Sequence, residues 1–274
     1  MLVFFAFLVC VVWGSTSTLF WIPEDELGRG YFQMNALVIL GLLSLAVAAR
    51  LLHPFEPFAG AAGSPTLGAA AFHLAYVGAF AYYAFIWRES WRGARVAAAV
   101  VLVALSVSLW VLASTLVAGA PPVPAQLALT RLALVTSSAL LGWSLITMLL
   151  GHWYLVAPKL RFIHLSVFCW VLLAVVLARL VAVAASLGVA ASVAGQGEPD
   201  AWRLLLSFEG EAMFFWVRVL WGLAGPLLLG LMSLHCARRQ SNQSATGILY
   251  VLVVGAFIGE ITAFYLTLTT GVPI

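Results

Sequence analysis

The chain has 274 residues, of which 64% are hydrophobic and only 8% charged, and its mean hydropathy is +1.08. A soluble domain carries about a quarter charged residues, so a soluble enzyme, a nucleic-acid binder and a disordered chain are excluded as descriptions of the whole. The net charge of +3 comes from 13 basic and 10 acidic residues scattered along the chain, which leaves no basic face for nucleic acid.

An apolar stretch needs about 20 residues to cross the hydrocarbon core of a bilayer. In chain order, eight such stretches predict helices at about 1–22, 31–52, 67–87, 96–118, 127–152, 162–188, 207–236 and 244–270. The first lacks the basic start of a signal peptide, since the first Lys or Arg is Arg29, and it is read as a helix of the mature protein. Pro23 with Glu24, Asp25 and Glu26 ends it. His53-Pro54 through Pro65 ends the second stretch, and Pro121, Pro122 and Pro124 separate the fourth from the fifth. Pro158-Lys159 and Glu198-Pro199-Asp200 bound the sixth, while Gly222, Gly225 and Pro226 interrupt the seventh. No period-2 alternation appears, which argues against an outer-membrane barrel. The reading is an all-α, polytopic integral membrane protein, a bundle of eight transmembrane helices forming one domain over 1–274.

Basic loop residues favour the cytoplasm. The odd-numbered connections hold Arg29, Arg88, Arg92, Arg95, Lys159, Arg161, Arg238 and Arg239, whereas the even-numbered ones hold Arg50 and Arg203. Both termini are therefore expected outside, in a multi-pass protein of a bacterial cytoplasmic (inner) membrane. The acidic run Glu24–Glu26 then falls inside, against the trend, although acidic residues weigh little in this rule. Cys10, Cys169 and Cys236 lie far apart at or within apolar stretches, which suits neither a disulfide framework nor a zinc cluster.

Ionisable residues inside apolar spans cost at least a few kcal/mol each and are the best functional pointers in such a chain. At about 1.5 Å per residue, Arg179 and Glu260 each lie about 25 Å from the cytoplasmic ends of the sixth and eighth helices. Both fall in the outer third of the membrane. Arg131, His73, Glu209 and Glu211 sit within about 10 Å of the outer ends, and Arg218 is somewhat deeper. Seven ionisable residues on five helices thus share one leaflet. One reading is purely structural, with Arg179 paired to Glu260 and Arg218 to Glu211 two turns away. The other is a site for a ligand with a polar head and an apolar body. An Arg or His would hydrogen-bond a carbonyl or hydroxyl, and a carboxylate would accept and export a proton. Quinol oxidation has those requirements. Glu260, Glu211 and His73 are the candidate proton-handling residues. Arg179, Arg218, Arg131, Tyr76 and Tyr265 are candidates for holding the quinone, a menaquinone or ubiquinone, with Phe72, Phe214, Phe215, Trp216 and Phe264 as further ring-pocket walls.

His53 and His73 belong to the outer side, and His152, His164 and His235 to the cytoplasmic helix ends. Imidazoles at equal depth on facing helices are what bis-histidine haem b requires, and His152 with His235 is the candidate pair. Helix-end histidines also have an ordinary electrostatic explanation. Ser15, Thr16, Ser17 and Thr18 fall within the first span, where hydroxyls usually bond their own helix or a neighbour.

Eight helices, both termini outside, no soluble domain and a polar cluster in the outer leaflet resemble the membrane-anchor subunits of the dimethyl sulfoxide reductase and polysulfide reductase type. Gly259-Glu260 followed by Phe264-Tyr265 is similar to the pattern in the final helix of some of those anchors, with Ala263 about where an Arg often follows the Glu. The resemblance implies exchange of electrons between menaquinone and an iron-sulfur partner protein, without haem in the anchor itself. The first functional expectation is accordingly a non-autonomous subunit of a quinone-linked respiratory or photosynthetic oxidoreductase. It would contact the lipid bilayer, quinone and redox partner subunits, iron-sulfur or cytochrome proteins, and no nucleic acid. The alternatives are a structural or assembly subunit whose charges only join helices, and a small transporter or proton channel.

Overall fold

The computed structural model describes residues 1–22, 24–53, 55–60, 64–118, 125–156, 163–194 and 212–274. Among these residues every regular element is helical, and eight helices are long and apolar enough to cross a membrane. They are α1 (Leu2–Thr18, continued by a 3-10 turn over Leu19–Trp21), α2 (Glu24–Leu52), α3 (Pro65–Trp87) and α4 (Trp91–Leu116). Then follow α5 (Gln126–Val156), α6 (Ile163–Ala194), α7 (Ala212–Arg238) and α8 (Asn242–Thr270). The acidic run is not a simple turn, because α2 begins at Glu24 and is broken at Gly28, whose φ of 74° is open to glycine at no steric cost. The start of α3 follows from its sequence: Pro65 needs no hydrogen-bond acceptor in the first turn, and the Ser64 hydroxyl accepts from the Leu67 N–H.

α1 is apolar on all sides and takes the middle of the bundle, as a helix without a polar face must. It packs on α5, α2, α4 and α8. Its closest approach is to α5, where a Cβ on Gly14 would stand 1.8 Å from the Ser138 carbonyl oxygen and one on Gly142 would meet the Gly14 backbone at 2.0 Å. Small residues permit this backbone contact and the dispersion gain that goes with it. α3 and α4 form the most extensively packed pair, with α2 against α3, whereas α5, α6, α7 and α8 pack on one another in the other half.

Polar pairs define the two ends of the bundle. Arg29 with Glu89, Arg95 with Glu24, and His164 with Glu26 tie the starts of α2, α4 and α6 and the end of α3 to one face, the basic face. At the far face the segment after α2 folds inward. Phe55 and Phe58 set their rings 5.7 and 5.9 Å from Phe5, and the Gly60 N–H donates to Thr115 Oγ1. α8 ends at the left-handed Gly271, whose carbonyl accepts from the Gln126 side chain at the start of α5.

α7 changes its winding partway along its length. It is α-helical over Ala212–Val219, π-helical over Leu220–Ala224 and α-helical again from Gly225. Pro226 has no N–H to give to the Gly222 carbonyl and its ring crowds that oxygen. The Gly225 N–H reaches back to Leu220 instead, the wide turn of a π helix. The carbonyl thus set free acquires another partner, described next.

Candidate functional site

Arg179 of α6, Arg218 of α7, Glu260 of α8 and Ser137 of α5 meet in the half of the bundle formed by those helices, and all four are 0–1% exposed. Arg179 holds the carboxylate side-on, with Nε donating to Oε1 and Nη2 to Oε2, both at 3.1 Å. Arg218 Nη2 stands 2.9 Å from Oε1. The Ser137 hydroxyl donates to Oε2 at 2.7 Å. Arg218 Nη1 donates to the Gly222 carbonyl at 3.3 Å, the oxygen that Pro226 frees. Arg179 Nη2 also donates to the backbone oxygen of Ile274 at 3.0 Å, because the segment after Gly271 turns back against α6.

Two close approaches bring these residues together. A Cβ on Gly259 would lie 2.1 Å from the Gly222 Cα, so α7 and α8 touch backbone to backbone beside Glu260. α5 and α8 run antiparallel in a fixed register, with Ser137 opposite Glu260 and Gly151 opposite Thr246. At about 1.5 Å per residue, Glu260 stands about 15 Å from the far-face end of α8 and about 27 Å from its basic-face end. A cavity of about 10 Å³ adjoins the cluster, lined among others by Thr130, Ser137, Arg179 and Thr267. That volume is close to the least that one water occupies.

The carboxylate accepts three hydrogen bonds, from Arg179 Nε and Nη2 and the Ser137 hydroxyl, and Arg218 Nη2 adds an ion-pair contact. The guanidinium groups are not saturated as donors. Among the described residues Arg179 Nη1 and Arg218 Nε and Nη2 have no hydrogen-bond acceptor, although Arg218 Nη2 is in ion-pair range of Glu260. The surroundings are partly aromatic: Phe214 and Tyr265 set their rings 5.1 Å apart at the edge of the α7–α8 seam, both partly exposed.

The remaining sequence candidates go elsewhere. Arg131 stacks on Trp110 of α4, its guanidinium carbon 3.5 Å from the ring centre, a cation–π contact. His73 is exposed on α3 and bonded to the Ala69 carbonyl. Tyr76 hydrogen-bonds Ser44 of α2 at 3.1 Å and packs edge-on against Phe80. α3 packs on α2 and α4, whereas Glu260 meets α5, α6 and α7, so the described contacts do not bring His73 or Tyr76 to Glu260. Glu209 and Glu211 lie outside the described residues, and so does the expected pairing of Arg218 with Glu211; among the described residues Arg218 pairs with Glu260. His152 and His235 are exposed, and His152 bonds the Tyr250 hydroxyl. Their helices pack chiefly on others, α5 on α1, α6 and α8 and α7 on α6 and α8. Among the described residues no group of three His, Cys, Asp or Glu could hold a metal ion. Ser137 was not among the sequence candidates. Its signal was the seven-residue spacing of Thr130, Ser137 and Ser144 down one face of α5.

No protein-family model, no curated protein and no solved structure matches this chain.

Proposed function

We propose that the chain is a quinone-binding membrane subunit of an electron-transfer complex, with its site in the outer leaflet on Arg179, Arg218 and Glu260. One observation carries this reading: two buried guanidinium groups share the Glu260 carboxylate and retain N–H donors with no acceptor among the described residues. A quinone carbonyl is an acceptor that arrives through lipid, and the Phe214–Tyr265 pair flanks the seam on the lipid side. Arg218 would hold the carbonyl and Glu260 would take the proton on release from its arginines, with Glu211 as the acid nearer the surface. The electrons would pass to or from iron-sulfur or cytochrome partners.

Total burial of the three charges and the backbone contact of Gly222 with Gly259 favour a second reading, a tie that only joins α6, α7 and α8. Photoaffinity labelling with an azido-quinone separates the two. The quinone reading expects label on α7 and α8 that excess ubiquinone or menaquinone competes away, and quinone in organic extracts of the purified protein. No competable label and no extracted quinone would leave the structural tie.

A further inference from the structure

Arg238 closes α7 at the basic face, yet its guanidinium runs back toward the middle of the bundle instead of away from it. A Cβ on Gly230 would meet Leu173 Cδ2 at 2.9 Å, which sets the register of the antiparallel α6 and α7. In that register Trp170 stands level with about Ser233, and Arg238 starts about five residues, or about 7.5 Å, nearer the basic-face end. The Arg238 guanidinium carbon nevertheless lies 4.8 Å from the centre of the Trp170 ring. Backbone direction explains the meeting. Side chains lean toward the N-terminus of their own helix, so Arg238 at the end of α7 leans inward and Trp170 near the start of α6 leans outward. The meeting place is open on the outside of the bundle: Trp170 is 51% exposed, Arg238 is exposed, and Ile163, Val167, Leu177 and Val181 continue the outward apolar strip of α6 on either side of the ring.

A guanidinium beside an apolar, outward surface keeps its charge and calls for an anion next to it. Among the described residues the carboxylates of this face are engaged elsewhere, Glu24 with Arg95, Glu26 with His164 and Glu89 with Arg29. Arg29 gives the contrast, since it too lies over a tryptophan, Trp87, but carries Glu89 as well. We propose that Arg238 and Trp170 form a site for one anionic glycerophospholipid, with the headgroup phosphate on the guanidinium and the acyl chains along the outward strip of α6. Phosphate is the anion that a bilayer supplies at its surface, and the planar guanidinium fork matches its oxygens. A zwitterionic lipid brings an ammonium group beside Arg238, Arg239 and a connection, 157–162, that holds Lys159 and Arg161 without an acid. A headgroup with net negative charge is therefore preferred. The site rests on the reading of the helices as membrane spans, not on the quinone reading, whose ligand belongs to the other end of the bundle.

The test is a lipid titration of the full chain in detergent, read by native mass spectrometry, with phosphatidylglycerol and phosphatidylcholine of the same acyl chains. The wild type should retain one phosphatidylglycerol in preference to phosphatidylcholine. Arg238→Gln should weaken phosphatidylglycerol binding about fivefold, the share of one basic residue beside an anionic headgroup. Trp170→Leu keeps the strip apolar, removes the ring that holds the guanidinium, and should weaken it too. Arg88→Gln at the exposed end of α3 makes the same change of charge away from the site and should leave binding unaltered, as should Asp25→Asn. Inorganic phosphate in excess should not displace the lipid. Equal binding of the two lipids by the wild type, a preference that survives Arg238→Gln or Trp170→Leu, or an equal loss in Arg88→Gln would overturn the proposal. So would tighter binding in Asp25→Asn, which would make that acid the counter-ion of Arg238, and displacement by inorganic phosphate, which would make the ligand a free anion.

Discussion

Glu260 accepts from two guanidinium nitrogens of Arg179 and from one hydroxyl and stands in ion-pair contact with Arg218, and that inventory sets the consequences of removing it. Glu260→Ala strands two buried cations, and breaking a buried pair from one side costs about 3–5 kcal/mol. Ser137→Ala deletes one hydrogen bond to a charged acceptor, worth about 1.5–3 kcal/mol. Unfolding in a graded SDS series should therefore rank the wild type first, Ser137→Ala second and Glu260→Ala last. Equal stability of Glu260→Ala and the wild type would contradict the network described. The pairing of Arg179 with Glu260 was legible in the sequence, because two opposite charges at one depth have few other ways to be satisfied. The partner of Arg218 was not. Spacing along one helix favoured Glu211, which lies outside the described residues; the contact of Arg218 across to Glu260 on α8 depends on azimuth, about which depth says nothing. The same limit explains His73 and Tyr76, which match the cluster in depth and stand on the opposite side of the bundle.

At the scale of the helices, glycines do what side-chain charges cannot: they let backbones meet. Gly259→Ala would put a methyl group 2.1 Å from the Gly222 Cα, and relief requires α7 and α8 to separate just where Arg218 reaches Glu260. Gly14→Ala would do the same at the α1–α5 crossing, against the Ser138 carbonyl. Both substitutions should lower Tm by several degrees, while Gly41→Ala, with nothing within 4 Å of its new Cβ, should leave it unchanged or slightly higher. Unaltered unfolding in Gly259→Ala would show that the α7–α8 contact is looser than the structure has it. The spans themselves were readable from apolar length, most ends falling within a few residues of the expected positions. What hydropathy could not give were features made by backbone geometry. The break at Gly28, the π turn before Pro226 and the inward fold of Phe58 all depend on a local backbone choice or on a partner distant in sequence.

Across the whole molecule, the acidic run that opposed the positive-inside reading finds a physical place. Glu24 and Glu26 belong to the same face as the arginines because they pair there, with Arg95 and His164, and Glu89 pairs with Arg29. Exposed pairs of this kind add about 0–1 kcal/mol each, so their effect is mainly to join helices from both halves at one surface. The acids thereby offset part of the basic charge locally without removing the bias of Arg88, Arg92, Arg238 and Arg239 in the connections. The orientation expected from that bias places the basic face in the cytoplasm and the Arg179–Glu260–Arg218 cluster in the outer leaflet. A cysteine at the exposed Arg92 position and one at the exposed Thr66 position then report opposite sides, in a background where Cys236 is replaced by Ser and Cys10 and Cys169 are buried. In intact cells a membrane-impermeant maleimide should label Thr66→Cys and spare Arg92→Cys, and both should react once the membrane is opened. Labelling of Arg92→Cys alone in intact cells would invert the bundle, move the cluster to the inner leaflet and remove the basis for proton release to the outside.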